Sequence, residues 1–178
     1  MLVPRQNVPG LIVETLSAGT FDIANDNPDF ATLVVFYRGL HCPICATYLK
    51  ELARLTSDFA EKGVKTIAIS SDDEDRTQQM ADKVGNENLR FGYGLPLDVA
   101  KAWGLFISTS RGKTSIGIME PDLFSEPGVF LVKSDGTLYF SAIQTMPFVR
   151  PHFQEMIGAL DFVQKNDYPA RGEYTGAV

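Results

Sequence analysis

The chain has 178 residues, 44% of them hydrophobic and including 12 Phe, 6 Tyr and 1 Trp, enough for one packed core without disulfide or metal staples. That composition excludes global disorder. Sixteen Lys plus Arg against 22 Asp plus Glu leave a net charge of −6, which argues against generic binding to nucleic acid or to an anionic membrane, so neither is expected as a partner.

Residues 1–9 lack the basic start and continuous apolar run of a secretion signal, and no apolar run approaches the ~20 residues that cross a bilayer. The expectation is a cytoplasmic chain. Residues 31–37 (ATLVVFY) are a short run rich in β-branched and aromatic residues, which predicts a strand buried on both faces and ending at Arg38-Gly39. Pro43 then suits the first position of a helix, and Ile44, Tyr48, Leu52, Leu55 and Phe59 recur at spacings of three and four, so a helix is expected up to Gly63. Residues 64–70 read as a second strand, joined to the first by that helix in a parallel βαβ crossover.

Ser71-Asp72-Asp73 can cap a helix over 74–84. A short strand is expected within 91–98, followed by a brief helix through Ala100, Ala102 and Trp103 that ends at Gly104. Residues 105–126 are rich in Ser, Thr and Gly without periodicity, and are read as an insertion within a single domain spanning 1–178. Pro127-Gly128 leads into a strand at 129–133, and Ser134-Asp135-Gly136 turns the chain into a second at 137–143, a hairpin signal. A last helix over 148–164 places Phe148, Phe153, Met156, Ile157, Leu160 and Val163 near one face, and a polar tail follows Asp167 and wraps the surface. The order βαβ, helix, insertion, ββ, helix is that of an α/β protein of the thioredoxin fold, a central mixed sheet with flanking helices.

Both cysteines fall within Cys42-Pro43-Ile44-Cys45. A cysteine just before the first turn of a helix meets unpaired N–H groups and the positive end of the dipole, which favour thiolate over thiol. Arg38 adds a permanent positive charge four residues upstream, and His41 is a weaker candidate for the same task. Cys45 shares a helix face with Cys42, within disulfide range, as the more buried resolving thiol. Two other readings compete. The pair could be half of a zinc site completed by His41 and His152, or both cysteines could be inert core residues. A CxxC following a strand and opening a helix in a βαβ context favours redox chemistry, which needs neither metal nor cofactor.

The segment Phe36-Tyr37-Arg38-Gly39-Leu40-His41-Cys42-Pro43-Ile44-Cys45 resembles the FYRGxxCPxC signature of peroxiredoxin-like proteins of the alkyl hydroperoxide reductase/thiol-specific antioxidant (redoxin) family. Residues 95–104 (LPLDVAKAWG) are similar to the redoxin segment in which a strand ending in Asp leads into a helix, and residues 127–132 with Asp135-Gly136 resemble its later strand. The resemblance spans about residues 30–165. It implies a thiol-dependent oxidoreductase: Cys42 attacks a peroxide or a substrate disulfide, Cys45 resolves it to an intramolecular disulfide, and an external dithiol such as a thioredoxin-type protein reduces that bond. Relatives are frequently dimers, which makes a homodimer an available assembly. The non-enzymatic alternative is a redox sensor or binding module that uses 105–126 as its contact surface.

Three positions depart from the family pattern. Typical members carry Pro seven and Thr three residues before the attacking cysteine, where this chain has Val35 and Gly39. They also carry an Arg at the start of the later strand, aligned here with Pro127, a position that thioredoxin-like disulfide reductases fill with a cis-proline packed against the CxxC. Pro127 is therefore read either as a site residue or as an ordinary turn proline, and Arg38 as a substitute for the missing Arg.

Overall fold

A computed structural model describes residues 2–17, 19–85 and 88–177. Met1, Ala18, Asn86, Glu87 and Val178 lie outside them, Met1 being the first residue of the N-terminal stretch read above. Strand β3 (Ala31–Phe36) is buried along its whole length, as its unbroken apolar run requires. It pairs parallel with β4 (Val64–Ile69) and antiparallel with β8 (Gly128–Lys133), so the strand that leads to the cysteines sits mid-sheet. Next to β4 runs β5 (Arg90–Tyr93), in parallel, and β9 (Leu138–Ile143) closes the other edge beside β8.

The N-terminal hairpin β1 (Ile12–Thr15) and β2 (Gly19–Asp22) was not foreseen; it adds two strands beyond β5, and among the described residues the sheet order is β2-β1-β5-β4-β3-β8-β9. Alternation along β3 divides the interior into two cores. Leu33 and Val35 pack with α1 (Pro43–Arg54), α3 (Glu74–Val84) and α5 (Phe153–Lys165) through Leu49, Leu52, Met80, Phe153 and Leu160. Val34 and Phe36 pack on the opposite face against Trp103 and Phe130, whose rings meet Phe36 edge-on at 5.4 and 5.6 Å. Two such cores on one mixed sheet make the expected thioredoxin-like architecture.

Four boundaries differ from expectation. The helix foreseen up to Gly63 ends at Arg54, because Leu55 leaves helical geometry at ψ 3°, and a short α2 (Thr56–Glu61) follows. The strand foreseen within 91–98 stops at Tyr93, and Asp98 lies instead in the first turn of α4 (Leu97–Ala102), whose entry Pro96 fixes at φ −63°. The last helix starts at Phe153 rather than 148, because Pro151 disfavours helical geometry at Arg150, and Phe148 is left exposed instead of joining the apolar face. Residues 105–126 are not wholly irregular: β6 (Ile107–Thr109) and β7 (Leu123–Ser125) pair antiparallel as a separate two-stranded ribbon. No described helix is long and apolar enough to cross a membrane.

Candidate functional site

Strand β3 delivers the chain to the start of α1, and Cys42 is the N-cap, with the extended backbone (φ −102°, ψ 101°) that an N-cap adopts. Pro43 follows without an N–H to satisfy. The Cys42 sulfur takes the capping role of a side-chain oxygen, accepting the Cys45 N–H at 3.3 Å. One turn into the helix, the Cys45 S–H donates to Cys42 Sγ at 2.6 Å, and both cysteines are free. Cys45 is sealed, while Cys42 keeps 3% of its surface and lines a cleft of about 820 Å³. Ile44 flanks it on the helix side, Ser108 and Arg111 on the ribbon side, and Pro147 and Phe148 across the mouth.

The two thiols are driven apart in acidity. Cys42 falls to about 6: the Cys45 S–H bond favours the thiolate most, burial opposes it, and the Cys45 N–H, Arg150 and Arg38 add to the lowering. Burial pushes Cys45 well above the usual thiol range, and the hydrogen bond to Cys42 and its negative charge push the same way. Near neutral pH one sulfur is therefore a thiolate and the other its proton donor.

Arg150 is the cation in contact with the pair. Its Nη2 lies 3.1 Å from Cys45 Sγ and 3.9 Å from Cys42 Sγ, its Nε donates to the Pro147 carbonyl at 2.9 Å, and its guanidinium lies 5.0 Å over the Tyr48 ring. Sequence reasoning gave this task to Arg38 and missed Arg150, whose only local signal is a lone cation between Pro147 and Pro151. Arg38 instead turns to the ribbon: it meets Glu120 at 3.5 Å and Glu126 at 3.3 Å and lies 4.7 Å over the Phe124 ring. Its effect on Cys42 is that of a charge at a distance.

At Gly39 the backbone takes φ +133°, and a Cβ there would stand 2.7 Å from Asp72 Oδ2. That carboxylate accepts the Leu40 N–H at 2.7 Å and is held in turn by Arg76 Nε at 2.9 Å, so the turn into Cys42 is fixed from α3. His41 is fully buried with its ring edge-on to Phe124 at 4.6 Å, and burial and Arg38 lower it to about 4, so it stays neutral and is no cation for the thiolate. Pro127 is buried at the entry to β8, its carbonyl accepts the Gln144 N–H at 3.1 Å, and it does not line the cleft. No described peptide bond is cis, the one before Pro127 included. Among the described residues no three His, Cys, Asp or Glu side chains gather as a metal site.

A family model, that of the AhpC/TSA family, matches residues 4–141, which include Cys42 and Cys45. The chain belongs to the AhpC/TSA family. A curated relative, a 1-Cys peroxiredoxin of Onchocerca volvulus, is 28% identical over 130 residues, covering 68% of this chain and 56% of that protein. The chain thus spans little more than half the length of that relative. A cysteine-to-serine mutant of peroxiredoxin 6 from Arenicola marina superposes with a TM-score of 0.76 at 18% identity, over 94% of this chain and 76% of that one. The yeast mitochondrial 1-Cys peroxiredoxin, solved for its thiol resolution via glutathione/thioredoxin systems, gives 0.72 at 17% identity, over 94% and 78%. At these identities the two structures speak for the fold.

Within the AhpC/TSA frame, the departures seen in the sequence acquire physical content. The residue three before Cys42 has no side chain because the Asp72 carboxylate fills that space. Pro127 stands where the later strand of the family carries an arginine, and the guanidinium that reaches the sulfurs comes from another segment, at Arg150.

Proposed function

We propose that this chain is a thiol peroxidase. Cys42 thiolate attacks the near oxygen of a hydroperoxide, the O–O bond breaks, and the departing alkoxide or hydroxide takes up a proton; Cys42 is left as a sulfenic acid. Cys45 then displaces water to form the Cys42–Cys45 disulfide, which an external dithiol of thioredoxin type reduces. The observation that carries this reading is an acidic sulfur facing a cleft with a protonated second sulfur 2.6 Å behind it. Resolution then needs no unfolding of α1, because both reacting atoms already lie within one turn.

Cys42 and Cys45 are the reacting residues in this reading, and Arg38 supports Cys42 at a distance while bracing the ribbon. Pro127 starts β8 beside β3 and acts through packing. Residues 105–126 are an insertion in one domain, placed to form the outer wall of the cleft. Mass spectrometry after one equivalent of hydrogen peroxide tests the reading. The expected product has lost two hydrogens, whereas Cys45→Ser gains one oxygen. A wild-type chain whose mass does not change would remove it.

A further inference from the structure

The guanidinium of Arg150 sits nearer the second sulfur than the first, at 3.1 Å against 3.9 Å. We propose that Arg150 is a catalytic residue of the resolving step, its guanidinium stabilising a thiolate at Cys45 once Cys42 has been oxidised. This rests on the peroxidase reading.

Before oxidation Cys42 holds the negative charge and Cys45 the proton. Attack on the peroxide turns Cys42 into a neutral sulfenic acid; burial still holds the Cys45 proton, but the two other influences that do so, the hydrogen bond to Cys42 and its charge, disappear together. The guanidinium is then left half-buried without an anion. No described carboxylate pairs with it, its Nη1 is buried without a hydrogen-bond partner, and its Nε is spent on the Pro147 carbonyl. A half-buried cation in that position favours ionisation of the nearest acidic group.

The other groups facing the pair do not compete. Tyr37, where β3 ends, and Tyr48, on α1 with Glu51 acting on it, are held protonated by burial. His41 is neutral, and Arg38 is committed to Glu120 and Glu126. Cys45 thus loses its proton beside Arg150 and attacks Cys42 Sγ. The S–S bond forms, the S–O bond breaks, and the departing hydroxide takes the proton that Cys45 gave up, leaving as water. Resolution is switched on by the first step, and Cys45 stays inert until then.

The first measurement needs no peroxide. In a Cys42→Ser background, where a neutral hydroxyl stands for the oxidised sulfur, ultraviolet thiolate absorbance against pH gives the Cys45 midpoint. Arg150→Gln is expected to raise that midpoint by about one pH unit, about tenfold in thiolate, with Arg150→Lys in between. The second is rapid quenching after a peroxide pulse at about pH 8, where Cys42 is ionised with or without Arg150. Arg150→Gln should slow disulfide formation by about tenfold or more, and slow Cys42 oxidation, followed in the Cys45→Ser background, by less than about threefold. Equal Cys45 midpoints with and without Arg150, or equal slowing of the two steps, would overturn the proposal. Distinct midpoints in a protein that peroxide does not oxidise would instead sink the peroxidase reading and leave standing only the hold of Arg150 on Cys45 ionisation.

Discussion

Two regions build the cleft by opposite means. The turn from β3 into α1 is assembled largely from neighbours: Gly39, Leu40, Cys42, Pro43 and Cys45 set the geometry of the sulfurs within a few residues of one another, with Asp72 as the one brace from outside. The wall opposite is assembled from afar: Arg38 meets Glu120 across 82 residues, and Arg150 reaches Cys45 across 105. The difference shows that the position of the reactive atom is a local property, whereas its charge environment is tertiary. A cap and a proline place the sulfur; a remote arginine helps to decide how long its charge lasts and where that charge goes next.

The comparison can be broken most forcefully at the sulfur itself. Cys42→Ser should cut peroxide consumption by about three orders of magnitude, while Arg111→Ala, on the remote wall, should cost less than about tenfold; both are read by stopped-flow peroxide decay. Comparable losses would mean that the wall, too, takes part in the chemistry.

The acidity of Cys42 gives the next largest effect. Alkylation of Cys42 by a neutral haloacetamide should be flat above pH 7 and fall about tenfold per unit below a midpoint near 6. The sign for stability follows from the same depression. The folded state favours the thiolate, so its contribution is complete above the pKa of the unfolded thiol and is lost as pH falls through about 6. Urea midpoints of the reduced protein relative to Cys42→Ser should therefore rise between about pH 6 and pH 9.

Backbone substitutions sharpen the contrast further. Gly39→Ala forces a Cβ into the Asp72 carboxylate at φ +133°, and should cost about 3 kcal/mol in urea denaturation. Gly112→Ala, in the ribbon loop at φ +87° with open space around it, should cost about 1 kcal/mol. Between the two lies Glu126→Gln, which weakens one of the two carboxylate partners of the partly buried Arg38 and should cost about 1–2 kcal/mol by the same method.

Legibility in the sequence followed the same division. The strand at 31–36, the start of α1 at Pro43 and the α3 cap at Asp73 could be read because each is dictated by adjacent residues: an unbroken apolar run, a proline after a capping position, a carboxylate before a helix. The β1–β2 hairpin could not, since each strand has four residues and only Val13, Thr15 and Phe21 turn inward, too few to raise a period above chance. Nor could the break at Leu55, where apolar spacing runs on unbroken into α2. Cys42 and Cys45 announced themselves by spacing. Arg150 did not, because it belongs to no periodic segment and its contact with sulfur exists only after the sheet has closed. Arg38 was found by nearness in sequence and then proved to point at the ribbon's carboxylates.

The burial difference between the two sulfurs also sets the order of events in the proposed peroxidase cycle. Cys45 has no exposed surface, and Cys42 alone faces the cleft. A dithiol arriving to regenerate the protein must enter by the same doorway as the oxidant and strike the same atom. The two visitors therefore exclude each other, the half-cycles alternate in ping-pong fashion, and a surplus of either one delays the other's turn.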